Sequence, residues 1–319
     1  MDSSLFKYKK SPDVRTTTSF TLRKKFVTNL GLMIFLNLLI KPLWIFGIDR
    51  HVHNLVGDDE FGFYQTLLNF SMLTIVTLDF GLTNFNNRNI SQNHELIKKH
   101  FSNLVGLKFL LAIVYAIVIF SIALIMDYTD PRQIKLLGFL AFNQFLISFT
   151  LYLRSNISGL QLYKTNSFLS VLDRGLMLII CSIILFFGLP GVNFSIELYV
   201  FAQTSAYVIT AIITFFIVFS KSGSFKINFN KVFYIAILKK IYPFALLALL
   251  MTLYTYIDQN MLNKLLPDGE GDKYVGIYYQ GFRIFNAAYQ FGLLFAFLLL
   301  PMFAKMIKQK ESIHQMVLL

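Results

Sequence analysis

Long apolar runs alternate along this chain with short polar connections, most of them basic, and the run length decides the architecture. A helix needs about 20 apolar residues to cross the hydrocarbon of a bilayer. Runs of that length fall near 27–47, 61–82, 103–126, 134–156, 167–189, 196–219, 243–265 and 275–300. A lipid-exposed backbone must satisfy its own hydrogen bonds, and none of these runs shows the period-two alternation of a barrel strand. The pattern predicts an all-α polytopic membrane protein of about eight transmembrane helices.

The pattern also repeats. Lys24-Lys25, an apolar run and Phe61-Gly62-Phe63-Tyr64 return as Lys239-Lys240, an apolar run and Val275-Gly276-Ile277-Tyr278, about 214 residues later at the glycine. The expected organisation is a basic cytoplasmic tail (1–26), a complete six-helix lobe (27–219), a cytoplasmic linker (220–242), the first hairpin of a pseudo-repeated second lobe (243–300) and a cytoplasmic end (301–319). In the linker, Phe225, Phe229, Phe233 and Ile237 recur every four residues among lysines, which suits a helix lying in the membrane interface. A second lobe of full length needs four more helices, so the 319-residue chain is expected to be a fragment or a truncated form.

Composition narrows the class. With 55% hydrophobic and only 14% charged residues, the chain is too apolar for a soluble domain of its length, and its mean hydropathy is +0.59. The net charge of +12 comes from cations in the loops rather than on one folded face, which argues against nucleic acid. About 20 Lys and Arg lie on the side of the amino terminus against about 5 on the other, so that terminus is expected to be cytoplasmic. The single cysteine, Cys181, sits inside an apolar run, which excludes a disulfide framework. The five histidines fall outside the expected spans and lack the spacing of a zinc site. No nucleophile elbow or phosphate loop is present, so no catalytic residue, metal or organic cofactor is expected.

Charges and amides within spans are costly, and each calls for a partner, water or a function. In the first span Asn29, Asn37 and Lys41 share a stripe; Lys41 either snorkels or faces an interior. Asn69 lies mid-span in the second, while Asp79 near its end is expected to cap or to pair with Arg88. Lys108 is close enough to the membrane surface to snorkel. Gln144, Ser148, Tyr152 and Ser155 form a stripe read as a cavity wall slightly ahead of interhelical packing. Arg174 either faces a cavity or makes a structural salt bridge. In the last hairpin, Tyr279, Arg283, Asn286 and Gln290 share a face, and Arg283 occupies the position matching Asn69 in the first copy. Asp258 is too deep to reach water by snorkelling, and the hairpin's polar face either looks into a shared interior or is locked by a structural Asp258–Arg283 ion pair.

Several of these segments together resemble a known family: Gly62-Phe63-Tyr64, Leu78-Asp79-Phe80-Gly81-Leu82 followed by Arg88, then Tyr256-Ile257-Asp258 and Tyr274-Val275-Gly276-Ile277-Tyr278. They are similar to the polysaccharide-transport branch of the multidrug/oligosaccharidyl-lipid/polysaccharide exporter superfamily, the Wzx-type O-antigen flippases. The resemblance implies two six-helix lobes around a V-shaped cavity that flips undecaprenyl-diphosphate-linked oligosaccharide across the bacterial inner membrane by alternating access. Family members have twelve to fourteen helices, and this chain departs from them in having about eight. A diphosphate calls for fixed cations, so Lys41, Arg174 and Arg283, with Asn69, Asn286 and Gln290, are the candidate substrate-binding residues. Asp258 is the candidate site for a coupling Na⁺ or H⁺. A polysaccharide polymerase and a chain-length regulator are the partner proteins implied. The competing readings are a cation-coupled drug or metabolite exporter of the same superfamily, and a non-transporting scaffold or a polymerase.

Overall fold

The computed structural model describes residues 31–187, 194–223, 231–266 and 270–289. Asn29, Gln290, the 1–26 tail, the middle of the linker and the 301–319 end lie outside the described residues.

Every described element is helical: α1 (Gly31–Val56), α2 (Asp58–Leu73), α3 (Leu82–Gln92), α4 (Leu96–Ile125), α5 (Pro131–Gly159), α6 (Tyr163–Phe187), α7 (Ile196–Ser222), α8 (Lys231–Leu265) and α9 (residues 271–289). Of these α1, α4, α5, α6 and α7 are long and apolar enough to cross a membrane, and α2 with α3, taken together, has the length and apolarity of one further broken span or of a re-entrant loop. The described residues thus establish a multi-pass α-helical membrane protein with five or six crossings of the eight expected. Large apolar side chains stand exposed on the outer faces, among them Phe35, Ile117, Phe186 and Phe216, as lipid contact requires. The interior holds tyrosines, amides and charges.

Local chemistry explains most boundaries. Asp130 caps α5 by accepting from the backbone N–H of Arg132 (3.0 Å) and Gln133 (3.1 Å), with Pro131 at the first helical position. Gly57, at φ +87°, ends α1, and Asp58, Asp59 and Glu60 then complement the dipole of α2. Pro42 removes one N–H from α1, and the helix widens to a π-helical turn over Leu43–Asp49 that turns Trp44, Ile48 and Asp49 inward. The first helix therefore continues well past residue 47, where the apolar run stops, and carries Asp49 and His53 into the interior.

The second expected span, 61–82, is corrected in detail. The helix stops at Leu73, passes through a 3₁₀ turn at Ile75–Leu78 and resumes at Leu82 bent by 54°. Phe80 (φ +45°) and Gly81 (φ +83°) make the elbow; glycine bears that conformation easily and phenylalanine does not. A break at this depth frees carbonyls that have no water to turn to. Lys108 resolves this: its Nζ donates to the Leu78 carbonyl at 3.0 Å, to Ser148 Oγ at 2.9 Å and to Asp79 Oδ1 at 2.5 Å. Asp79 also accepts from the Thr83 hydroxyl. Lys108 does not snorkel, being 1% exposed, and the partner of Asp79 is Lys108, not Arg88.

The α5 stripe is corrected similarly. Ser148 donates to the Leu78 carbonyl, the Tyr152 hydroxyl to the Phe101 carbonyl, and Ser155 Oγ accepts from Asn86 Nδ2 at 2.8 Å. These three residues bind helices together, and only Gln144 reaches the cavity. At the end of the bundle holding the N-termini of α2, α5 and α7, Arg132 grips Glu60 with both terminal nitrogens (2.9 and 2.6 Å) and Glu197 with Nε (2.7 Å). One guanidinium thus ties three helix starts.

The two segments of the sequence repeat meet each other. A Cβ on Gly62 would lie 1.7 Å from the Asp272 carbonyl oxygen, and a Cβ on Gly276 would lie 2.2 Å from that of Asp58. Asp58 and Asp272 are separated by the same 214 residues as the two glycines. The contact is therefore self-complementary, as at a two-fold axis, and only glycine lets the backbones of α2 and α9 approach so closely. Helix α8 packs on α2 beside it, with Asn69 Nδ2 donating to Gln259 Oε1.

Candidate functional site

A cavity of about 310 Å³ opens between α1, α2, α5, α6, α7, α8 and α9. Its wall contains Lys41, Asn69, Arg174, Arg283 and Asn286, five of the seven residues that the sequence singles out. Gln290 lies outside the described residues, and Asp258 is not part of the wall. Asp258 accepts hydrogen bonds from the Tyr278 hydroxyl and, at 2.8 Å, from the Gln259 N–H. The alternative Asp258–Arg283 pair does not form.

The carboxylate beside Arg283 is Asp49, with Nε 3.0 Å from Oδ2. Both atoms are buried, and neither makes an aligned hydrogen bond, so the pair is held by charge without the N–H···O geometry that strengthens an arginine–carboxylate fork. Asp49 Oδ1 accepts from the Tyr199 hydroxyl at 3.0 Å. Arg283 Nη2 in turn donates to His53 Nδ1 at 2.9 Å, while His53 Nε2 sits 2.8 Å from Asp58 Oδ1 and the imidazole stacks on Phe61. Residues of α1, α2 and α9 are thereby joined across the glycine contact. The Arg283 guanidinium also lies 5.6 Å from the ring centre of Phe61 and 5.3 Å from that of Tyr279.

Arg174 occupies the opposite part of the wall. Its guanidinium rests between the rings of Trp44 (5.6 Å) and Tyr207 (5.9 Å), and the neighbouring Asp173 is 3.9 Å away, a loose pair. Trp44 itself stacks on Tyr199. An aromatic frame of this kind fixes a guanidinium in place, and Arg174 Nη1 also donates to Met177 Sδ at 3.3 Å. Lys41, one turn from Trp44, completes a set of three cations against one lining carboxylate, Asp49.

The rest of the wall is rich in amides. Gln65, Asn143 and Gln144 are buried and line the cavity, and Gln65 Oε1, Gln144 Oε1 and both polar atoms of Asn143 have no hydrogen-bond partner among the described residues. Unpaired buried amides cost about 1–3 kcal/mol each, so a polar cavity wall is where they belong. Asp49, His53, Gln65 and Asn143 were not legible from the sequence as site residues. Asp49 and His53 lie beyond the apolar run, whose length set the expected end of the first helix, and a lone amide in a hydrophobic helix gives no sign of which way it faces.

Among the described residues, no group of three or more His, Cys, Asp or Glu side chains is placed to hold a metal ion. The cavity wall thus combines three cations, one carboxylate and a group of amides.

Comparison with known proteins agrees on the fold. No curated protein matches the chain. A solved structure described as the outward-facing conformation of a multidrug resistance MATE family transporter of the MOP superfamily superposes with a TM-score of 0.51 at 17% identity, over 82% of this chain and 60% of that one. At that identity the likeness speaks for the fold, and the chain spans about three-fifths of that transporter's length. The family model described as "Polysaccharide biosynthesis protein", that of a polysaccharide transport family of flippases rather than enzymes, matches residues 24–307. With most of its length so matched, the chain belongs to the polysaccharide biosynthesis protein family.

Proposed function

We propose that this protein moves a polyprenyl-diphosphate-linked oligosaccharide across the bacterial inner membrane by alternating access, in the synthesis of O-antigen, capsule or another surface polysaccharide. The observation that carries this reading is the wall chemistry: Lys41, Arg174 and Arg283 face one cavity with a single carboxylate among them, beside amides that lack protein partners. A diphosphate drawn through a low-dielectric interior is favoured by fixed cations, and sugar hydroxyls are natural partners for side-chain amides. Extrusion of a cationic drug calls for the opposite charge. Membership of a polysaccharide family supports the same substrate class.

On this reading the first six crossings form one lobe, α8 and α9 belong to the second, and the amino terminus is cytoplasmic. The self-complementary Gly62–Gly276 contact is where the two meet. A polysaccharide polymerase and a chain-length regulator are the partners such a flippase serves.

Trp44 is the only tryptophan of the chain and lines the cavity, so its fluorescence reports on the site directly. Titrating the purified protein with a polyprenyl-diphosphate glycan should perturb this emission saturably, and a hydrophobic cationic dye should not. Arg174→Ala or Arg283→Ala should weaken the response at least about tenfold, since charge-assisted hydrogen bonds contribute about 1.5–3 kcal/mol each. In cells lacking the protein, Arg283→Ala should reach the membrane without restoring surface polysaccharide. Normal polysaccharide with that variant overturns the substrate assignment.

A further inference from the structure

Neither packing nor substrate binding accounts for the bridge from Arg283 to His53 and Asp58. Its geometry dictates a protonation state. Arginine has only donors, so His53 Nδ1, 2.9 Å from Arg283 Nη2, must carry a lone pair. An ionised carboxylate only accepts, so the single imidazole proton sits on Nε2 and points to Asp58 Oδ1. The ring is held neutral, as donor on one side and acceptor on the other.

The groups around this ring come from every helix packed on it. Asp49 lies on its own helix, Asp58 on α2, and Arg283 and the Tyr279 hydroxyl on α9; the Tyr199 hydroxyl reaches Asp49 from α7, with Arg174 of α6 farther off. A proton added at Nδ1 meets the N–H of Arg283 head-on, donor against donor and cation against cation. Rotating the ring does not help, because both nitrogens of an imidazolium donate. If Arg283 withdraws, the imidazolium remains between two carboxylates, Asp49 and Asp58, which then favour its charge. One positive charge replaces the other.

The geometry points to His53 as a proton-binding site that unlatches α9 from α1 and α2. This rests on the reading of the chain as an alternating-access transporter and names its coupling ion as H⁺, bound at His53 and not at Asp258. The closed contact excludes the proton and the separated one takes it up, so falling pH favours separation, and Arg283 is released toward the cavity as it happens. The neighbouring glycines make the contact close enough that loss of the bridge is felt along the whole seam.

The test measures the seam and contains no glycan. In the full chain carrying Cys181→Ala, spin labels at Asn54→Cys and Lys273→Cys, both exposed positions, report the separation of α1 from α9 in lipid nanodiscs. Between about pH 8 and about pH 5, the range over which histidine titrates, a longer-distance population should grow by up to about tenfold per pH unit. His53→Gln, whose amide donates to Asp58 and accepts from Arg283 without titrating, should abolish that response. Should His53→Gln fail to insert, Arg283→Gln serves instead, because a neutral amide can turn to accept from the imidazolium and the response should again vanish. A pH-independent distance in the otherwise native chain overturns the proposal, as does a full response in either variant. Failure of the Trp44 titration alongside an intact pH response removes the substrate assignment and leaves the latch standing.

Discussion

Two ion pairs in this protein, each with a buried cation, differ in how completely their atoms are satisfied. At the elbow between α2 and α3, Lys108 donates to Asp79, to the Leu78 carbonyl and to Ser148, and Asp79 takes the Thr83 hydroxyl as well. At the seam, Arg283 and Asp49 approach to 3.0 Å, yet Arg283 Nε and Asp49 Oδ2 make no aligned hydrogen bond, and the other end of the guanidinium leans on a titratable ring. The elbow repairs the hydrogen bonding of a broken helix, and neither Lys108 nor Asp79 belongs to the wall of the cavity described above. The seam lines that cavity. A charge saturated by protein partners holds structure, whereas one left short of partners beside a cavity is available to a ligand or a proton.

The largest effect should come from breaking the elbow. Lys108→Met removes the charge partner of Asp79 and one of the two side-chain donors to the Leu78 carbonyl, and should cost about 2–3 kcal/mol, read as a lower thermal unfolding midpoint in detergent. Adding Asp79→Leu should recover part of this, and a double variant no better than the single would show that the pair is not coupled. Arg283→Met should cost clearly less, because Arg283 Nε makes no aligned hydrogen bond to Asp49 that could be lost and the pair lies at a polar cavity wall, and its main effect should be on glycan export. Equal losses of stability in Lys108→Met and Arg283→Met would erase the distinction between the two sites.

Gly62→Ala comes next. The added methyl meets the Asp272 backbone and not a movable side chain, so α2 and α9 must part, at about 1–3 kcal/mol of overpacking, and the Asn54–Lys273 label distance should lengthen even at neutral pH. Asp130→Ala removes the α5 cap and should cost about 1 kcal/mol in the same unfolding measurement. The smallest effect is expected from Arg132→Gln. Its three partners are close, but the cluster is about half exposed and such pairs contribute about 0–1 kcal/mol. A loss as large as that of Lys108→Met would mean that satisfaction in the dry interior is not what separates these ion pairs.

Run length alone made the all-helical membrane architecture legible, because a bilayer sets the length of what crosses it. The 214-residue repeat also pointed to two glycines that the fold presses together. Five of the seven singled-out residues share one cavity wall for an equally simple reason: polar groups in apolar helices are costly unless they face a polar interior. Partners were a different matter. Lys108 looked like a snorkelling side chain, and Asp258 like an ion-binding carboxylate with pairing to Arg283 as the alternative, since the sequence shows only which charges lie in spans. Which charge meets which depends on the π-helical turn after Pro42, the elbow at Phe80-Gly81 and the close crossing of α2 and α9. These bring Asp49, His53 and Arg283 together from positions about 230 residues apart. Hydropathy sums over neighbours along the chain and so finds spans, while an ion pair depends on ångström distances between helices that only packing sets.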